Sequence, residues 1–201
     1  VSNLLDLSTA LFLRVNDFAR TSTWLHAPAT AYAKYGLVVF AALMLVAAWR
    51  RRSASDRVLA AAVWAGLGTL LAVAVNQPVA ALVAEARPYA AHPSVLVLVD
   101  RTTDWSFPSD HSVMAGAAAV GLLLVSKRLG TLAAVAALLM AATRVYVGAH
   151  YPHDVVAGLL LGGAVAGLGW VLLSKLLTWA VHALRALPVI DRVLAPAARE
   201  A

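Results

Sequence analysis

Residues 129–173 read LGTLAAVAALLMAATRVYVGAHYPHDVVAGLLLGGAVAGLGWVLL, and this stretch decides the fold. Two apolar runs, 129–147 and 155–173, are each about twenty residues long, the length that crosses a bilayer as a helix. The charged and imidazole groups of the stretch, Arg144, His150, His153 and Asp154, gather where the two runs meet. Ionisable side chains are costly in a bilayer, so a cluster of them at one helical hairpin marks a candidate site.

The same pattern continues outward. Further apolar segments lie at 29–49, 58–79 and 113–125, the last of spanning length only if its helix starts near Ser109. The chain is 62% hydrophobic and 13% charged, against about 45–50% and about 25% in soluble domains. These features predict an all-α integral membrane helical bundle of five to six transmembrane helices, a single domain over 1–201 with its core at 58–173. Gly158 with Gly162, and Gly163 with Gly167, have the small-xxx-small spacing that lets membrane helices approach closely. Residues 2–20 alternate Leu4, Leu5, Leu11, Phe12 and Val15 with Asp6, Arg14, Asn16, Asp17 and Arg20 at helical period. That periodicity fits an interfacial helix or a polar first span. The tail, 176–201, mixes Trp179, His182, Arg185, Asp191 and Arg192 around Pro188 and Pro196. It reads as a second, cytoplasmic amphipathic helix with a frayed end. The absence of cysteine excludes disulfides and thiolate metal sites. With Asp6 and no basic leader at the start, a removable signal peptide is not expected.

The net charge of +6 comes from cations beside apolar segments, which argues for membrane orientation and against nucleic acid. Arg50, Arg51, Arg52 and Arg57 follow the first segment, Lys127 and Arg128 the third, and Lys175 the fifth. Helices in series alternate sides, so all three clusters share one face, predicted cytoplasmic by the positive-inside rule. The opposite face receives the loop 80–107 and the turn 148–153, where the polar motifs stand.

Three motifs carry chemistry there. Pro152 suits a first helical turn, and Asp154 four residues beyond His150 falls on the same face. A carboxylate so placed can hold one imidazole nitrogen and leave the other as nucleophile or base. His153 has no such partner and is expected at the interface. In Pro108-Ser109-Asp110-His111, Ser109 is a candidate N-cap whose helix offers outward N–H groups to an anion, with His111 in the same turn as a general acid. Arg87-Pro88 and Arg144 add guanidinium forks suited to phosphate. No carboxylate cluster suited to magnesium is apparent, so the protein's own cations must meet the phosphate charge.

Arg87-Pro88, Pro108-Ser109-Asp110-His111 and Arg144, His150 and Asp154 together resemble the type 2 phosphatidic acid phosphatase superfamily, whose fold is shared with the soluble vanadate haloperoxidases. The resemblance implies a nucleophile at His150 oriented by Asp154, a general acid at His111, phosphate ligands at Arg87, Arg144 and Ser109, and no metal or other cofactor. Ser-Phe-Pro-Ser-Asp-His is similar to the bacterial polyprenyl-pyrophosphate phosphatases. That branch implies an isoprenoid lipid pyrophosphate as substrate, membrane lipids as surroundings, carrier-lipid recycling for the cell wall, and lessened bacitracin sensitivity. Phosphatidylglycerophosphate or phosphatidic acid phosphatase activity is the alternative, and a catalytically weak scaffold or lipid carrier the alternative of another class. Two departures stand out: Ala80 replaces the superfamily's lysine, and Asp110 puts a carboxylate beside the phosphate site. No feature of the sequence sets an oligomeric state.

Overall fold

Helix α6, Asp110–Val125, is the axis around which the other elements of this computed structural model assemble. The structure describes residues 2–187, and those residues form no strand. In chain order the helices are α1 (Ser2–Thr21), α2 (His26–Tyr35), α3 (Leu37–Arg51), α4 (Asp56–Val83), the short α5 (Pro88–Ala91), α6, α7 (Lys127–Tyr146) and α8 (Pro152–Arg185).

Small residues let α6 sit in backbone contact with its neighbours. A Cβ added at Gly162 would lie 2.0 Å from the Val113 carbonyl oxygen, and one at Gly116 would lie 2.4 Å from that of Leu159. On the other side, a Cβ at Gly121 would lie 2.7 Å from Cα of Ala65 in α4. Of the two glycine pairs in the sequence, Gly158 and Gly162 are thus a true packing face. Gly163 and Gly167 meet nothing nearer than the Val120 side chain, at 3.3 and 3.8 Å. Ala60, Ala61, Trp64, Ala115, Ala118 and Leu122 fill the layer beneath.

Among the described residues three helices, α4, α7 and α8, are long and apolar enough to cross a membrane, and α2 and α3, bent by 52° at Gly36, pass the same test when taken together. Helix α6 starts after Ser109 as expected, without a capping hydrogen bond from the Ser109 side chain, and its 16 residues cover only about 24 Å. The expected all-α bundle stands; of its expected five to six spans, length and composition support three among the described residues, or up to four with the bent pair.

Helix α1 packs on α7, on α8 and on the segment between α5 and α6. Ser8 contacts His153, Phe12 meets the Tyr151 ring edge-on at 5.4 Å, Asn16 exchanges hydrogen bonds of 2.8 and 2.9 Å with the Leu96 backbone, and Arg20 donates to the Ser94 carbonyl. These partners lie in α8 and the turn before it and in the segment between α5 and α6, and Phe12 also joins the cluster of Ala141 and Val145 on α7. The tail departs from expectation. Helix α8 continues unbroken to Arg185, so the described residues beyond 173 prolong the fifth apolar segment rather than start a separate helix. The polar residues read as an interfacial face serve another purpose: His182 and Arg185 pair with Asp56 at 2.9 and 2.7 Å and tie α8 to the start of α4. Pro188, Asp191, Arg192 and Pro196 lie outside the described residues.

Candidate active site

The last turn of α7 delivers Arg144, and the chain reverses through Gly148, whose φ of 79° lets it pass where a Cβ would lie 2.3 Å from the Leu96 carbonyl oxygen. His150 follows, then Pro152 opens α8 and Asp154 falls in its first turn. The Asp154 carboxylate caps that turn by accepting the Tyr151 N–H at 2.8 Å. Ser109 N–H donates to the Asp154 carbonyl at 3.1 Å, which fastens the start of α6 to the start of α8. The close packing at Gly158, against the Ser109 carbonyl, keeps the two helix starts together.

His150 is only 1% exposed. Its Nδ1 lies 2.9 Å from the Ser106 carbonyl oxygen and 3.5 Å from Asp154 Oδ2. A carbonyl only accepts, so Nδ1 carries the proton and Nε2 keeps a lone pair. The sequence reading has Asp154 hold the ring directly. The structure interposes Ser106, whose hydroxyl donates to Asp154 Oδ2 at 2.5 Å while its carbonyl takes the ring N–H. Burial pushes the His150 pKa down to about 4, the hydrogen bond with Asp154 opposing and the charges of Arg144 and Arg87 reinforcing the fall. The ring is neutral at pH 7, as a nucleophile requires.

His150, His111, Arg87 and Arg144 line one cavity of about 590 Å³, together with Asp104, Asp110 and Lys34. Arg87 donates from Nη1 to His150 Nε2 and to the Ala149 carbonyl, both at 3.1 Å, and pairs through Nη2 with Asp104 at 2.8 Å. Burial pushes the Asp104 carboxyl up, but hydrogen bonds from Thr102 and Arg87 and the Arg87 charge outweigh it and hold the group below its ordinary value. Arg144 differs. It is buried, and its Nε has no hydrogen-bond partner. Ser109 Oγ, fully buried behind the cavity, also has none. A buried unsatisfied polar group costs about 1–3 kcal/mol, a cost that an anion's oxygen would offset at Arg144.

Asp110 loses its anomaly here. Its Oδ1 accepts from Asn76 Nδ2 at 2.7 Å and Gln77 Nε2 at 3.1 Å, so carboxamides of α4 hold it on the cavity wall. His153 is not merely interfacial. Its Nε2 lies 3.0 Å from both Glu85 oxygens and 3.1 Å from Asp154 Oδ1, and its ring stacks on Tyr151. Glu85, His153 and Asp154 thus bring three potential metal-ligand atoms within 4.8 Å of one another, a cluster invisible in the sequence. Those atoms face each other at hydrogen-bond distance, and none of the three residues lines the cavity. Ser106, Asp104 and Lys34 are the site residues that sequence reasoning missed, and Glu85 joins them through His153, outside the cavity. Ser106, within Ser-Phe-Pro-Ser-Asp-His, and Glu85, two residues before Arg87, stood beside motifs.

Residues 61–177 match the family described as the PAP2 superfamily. The bacitracin transport permease protein BcrC of Bacillus licheniformis is 31% identical over 157 residues, 78% of this chain and 76% of its own length. Undecaprenyl-diphosphatase BcrC of Bacillus subtilis is 31% identical over 128 residues, 64% of each chain. Among solved structures, a transmembrane PAP2 type phosphatidylglycerolphosphate phosphatase from Bacillus subtilis aligns with a TM-score of 0.64 at 20% identity, covering 87% of this chain and 88% of that one. This last likeness shows the fold.

Proposed function

The chain belongs to the PAP2 superfamily and is a membrane lipid phosphatase, and on that premise we propose that it hydrolyses a polyprenyl pyrophosphate to the monophosphate at the outer face of a bacterial inner membrane. The observation that carries the reading is His150: a buried neutral imidazole, fixed at Nδ1, whose Nε2 lone pair, held by Arg87, shares a cavity with the unpartnered guanidinium of Arg144.

The steps follow from that geometry. Arg87 and Arg144 bind oxygens of the terminal phosphoryl group and bring phosphorus to Nε2; Arg87 exchanges its contact with Nε2 for one with phosphate. Burial and the charges of Arg144 and Arg87 push the His111 pKa down to about 3, so His111 takes up its proton as the negative phosphate enters; the Nε2–P bond then forms as the bridging P–O bond breaks, and the electron pair leaves with the polyprenyl phosphate, which His111 protonates. As positive charge grows on the imidazole, Asp154 and the Ser106 carbonyl stabilise it. Water then attacks the phosphohistidine, His111 takes its proton, and inorganic phosphate departs with His150 restored. Every charge on the phosphoryl group is met by a protein cation, so the reaction calls for no metal. The relative named undecaprenyl-diphosphatase BcrC supports a polyprenyl pyrophosphate substrate, and carrier-lipid recycling with lessened bacitracin sensitivity is the proposed outcome of that reaction.

Phosphate release by the purified protein in EDTA, compared across undecaprenyl pyrophosphate, phosphatidylglycerophosphate and phosphatidic acid, tests this. The largest kcat/KM is expected for undecaprenyl pyrophosphate. A preference for either glycerolipid would transfer the chain to that substrate class, and activity on none of them would overturn the reading.

A further inference from the structure

Ala80 leaves this chain one cation short of the superfamily pattern, and it lies half-buried on α4, off the cavity wall. The fold brings a different lysine to the cavity. Lys34, in the last turn of α2, lines it with Arg87, Arg144, His111 and His150. Its placement is fixed from two sides. One turn earlier, Thr30 donates to the Leu98 carbonyl at 3.3 Å, and Ala33 is buried against Val147 and Ala149 of the nucleophile's turn. Just beyond, the chain bends by 52° at Gly36, where a Cβ would meet Met140 at 2.6 Å. The ammonium lies 5.8 Å from the centre of the Tyr35 ring and has no ion pair among the described residues, whereas Arg87 is already paired with Asp104.

We propose that Lys34 binds the lipid-proximal phosphate of a pyrophosphate substrate and supplies the cation that Ala80 does not; this rests on the pyrophosphate reading above. Arg87 and Arg144 serve the phosphoryl group under attack at His150. The second phosphate must lie on the side where the tail enters the bilayer. Three residues after Lys34 comes Leu37, and three after His111 comes Met114; both line an apolar groove of about 430 Å³ that includes Phe40 and Leu67. Lys34 therefore stands where the polar cavity gives way to apolar surface. When the bridging P–O bond breaks, its electron pair moves to the lipid-proximal phosphate, and a cation there stabilises the transition state more than the ground state. A phosphomonoester places no phosphate at that position, so Lys34 is a specificity residue for pyrophosphates.

The test compares wild type, Lys34→Gln and Lys34→Arg for phosphate release from farnesyl pyrophosphate, with orthovanadate inhibition as the second readout. Wild-type turnover of farnesyl pyrophosphate is the first arm, and its absence would overturn the pyrophosphate reading and this proposal together. With that turnover in hand, Lys34→Gln is expected to lower kcat/KM about 10- to 100-fold, the scale of a charge-assisted hydrogen bond, and Lys34→Arg to restore most of it. The inhibition constant of vanadate, which occupies only the attacked phosphoryl position, is expected to change less than about twofold. Unchanged kcat/KM in Lys34→Gln would overturn the proposal and leave the parent reading standing. Equal weakening of vanadate would also overturn it, by assigning Lys34 to the attacked group or to the fold.

Discussion

At His150 the ring is held by a carbonyl at 2.9 Å, with Asp154 at 3.5 Å acting largely through the Ser106 hydroxyl. His111, Arg144, His150 and Asp154 were legible in the sequence because their relations are local: a helix start, a last turn, a four-residue offset. Ser106, Glu85 and Lys34 reach the site through loop and helix packing that no spacing announces. The buried His150 also sets a pH signature. With its pKa at about 4 in the folded protein and about 6.5 in the unfolded chain, the unfolded state binds more protons between those values. Stability is therefore full above about pH 6.5 and falls as pH drops toward 4. The acid limb of kcat/KM, which reports the free enzyme, is expected below pH 5 for His150. Thermal unfolding and kcat/KM followed over pH 4 to 7 check both, and an acid limb assigned to His150 at pH 6.5 would contradict the burial account.

Among the helices, the five apolar segments of the sequence are all helical, because length and hydrophobicity are local properties. What the pattern did not fix is how each lies in the bundle. Helix α1 was legible only as a pair of alternatives, since the Asn16 partners on Leu96 are about eighty residues away. The end of α8 was misread because His182 and Arg185 look interfacial until Asp56 is placed beside them. The Gly158 and Gly162 face was readable, and it has a consequence for the site. Replacing Gly162 with leucine would force α8 off α6, where no space exists for even a Cβ. That variant is expected to lose both monodisperse elution in detergent and activity, whereas Gly167→Leu, beside only the Val120 side chain at 3.8 Å, is expected to retain most of both.

For the whole molecule, the nucleophile's end and the end bearing Arg50, Arg51, Arg52, Lys127 and Arg128 are opposite ends of the bundle. The chain has no cysteine, so single-cysteine variants report topology without background. In intact bacterial cells a membrane-impermeant maleimide is expected to label Ser94→Cys and to spare Lys127→Cys; the reverse pattern would place the site inside. The central claim is that His150 carries the phosphoryl group. Rapid quench of the wild-type protein with undecaprenyl pyrophosphate in EDTA, followed by peptide mass spectrometry under alkaline conditions, tests it directly. The account predicts a phosphoryl adduct on His150 that appears before steady-state phosphate release and is absent in His150→Ala together with turnover. Undiminished phosphate release by His150→Ala, with no adduct on the wild-type protein, would contradict it.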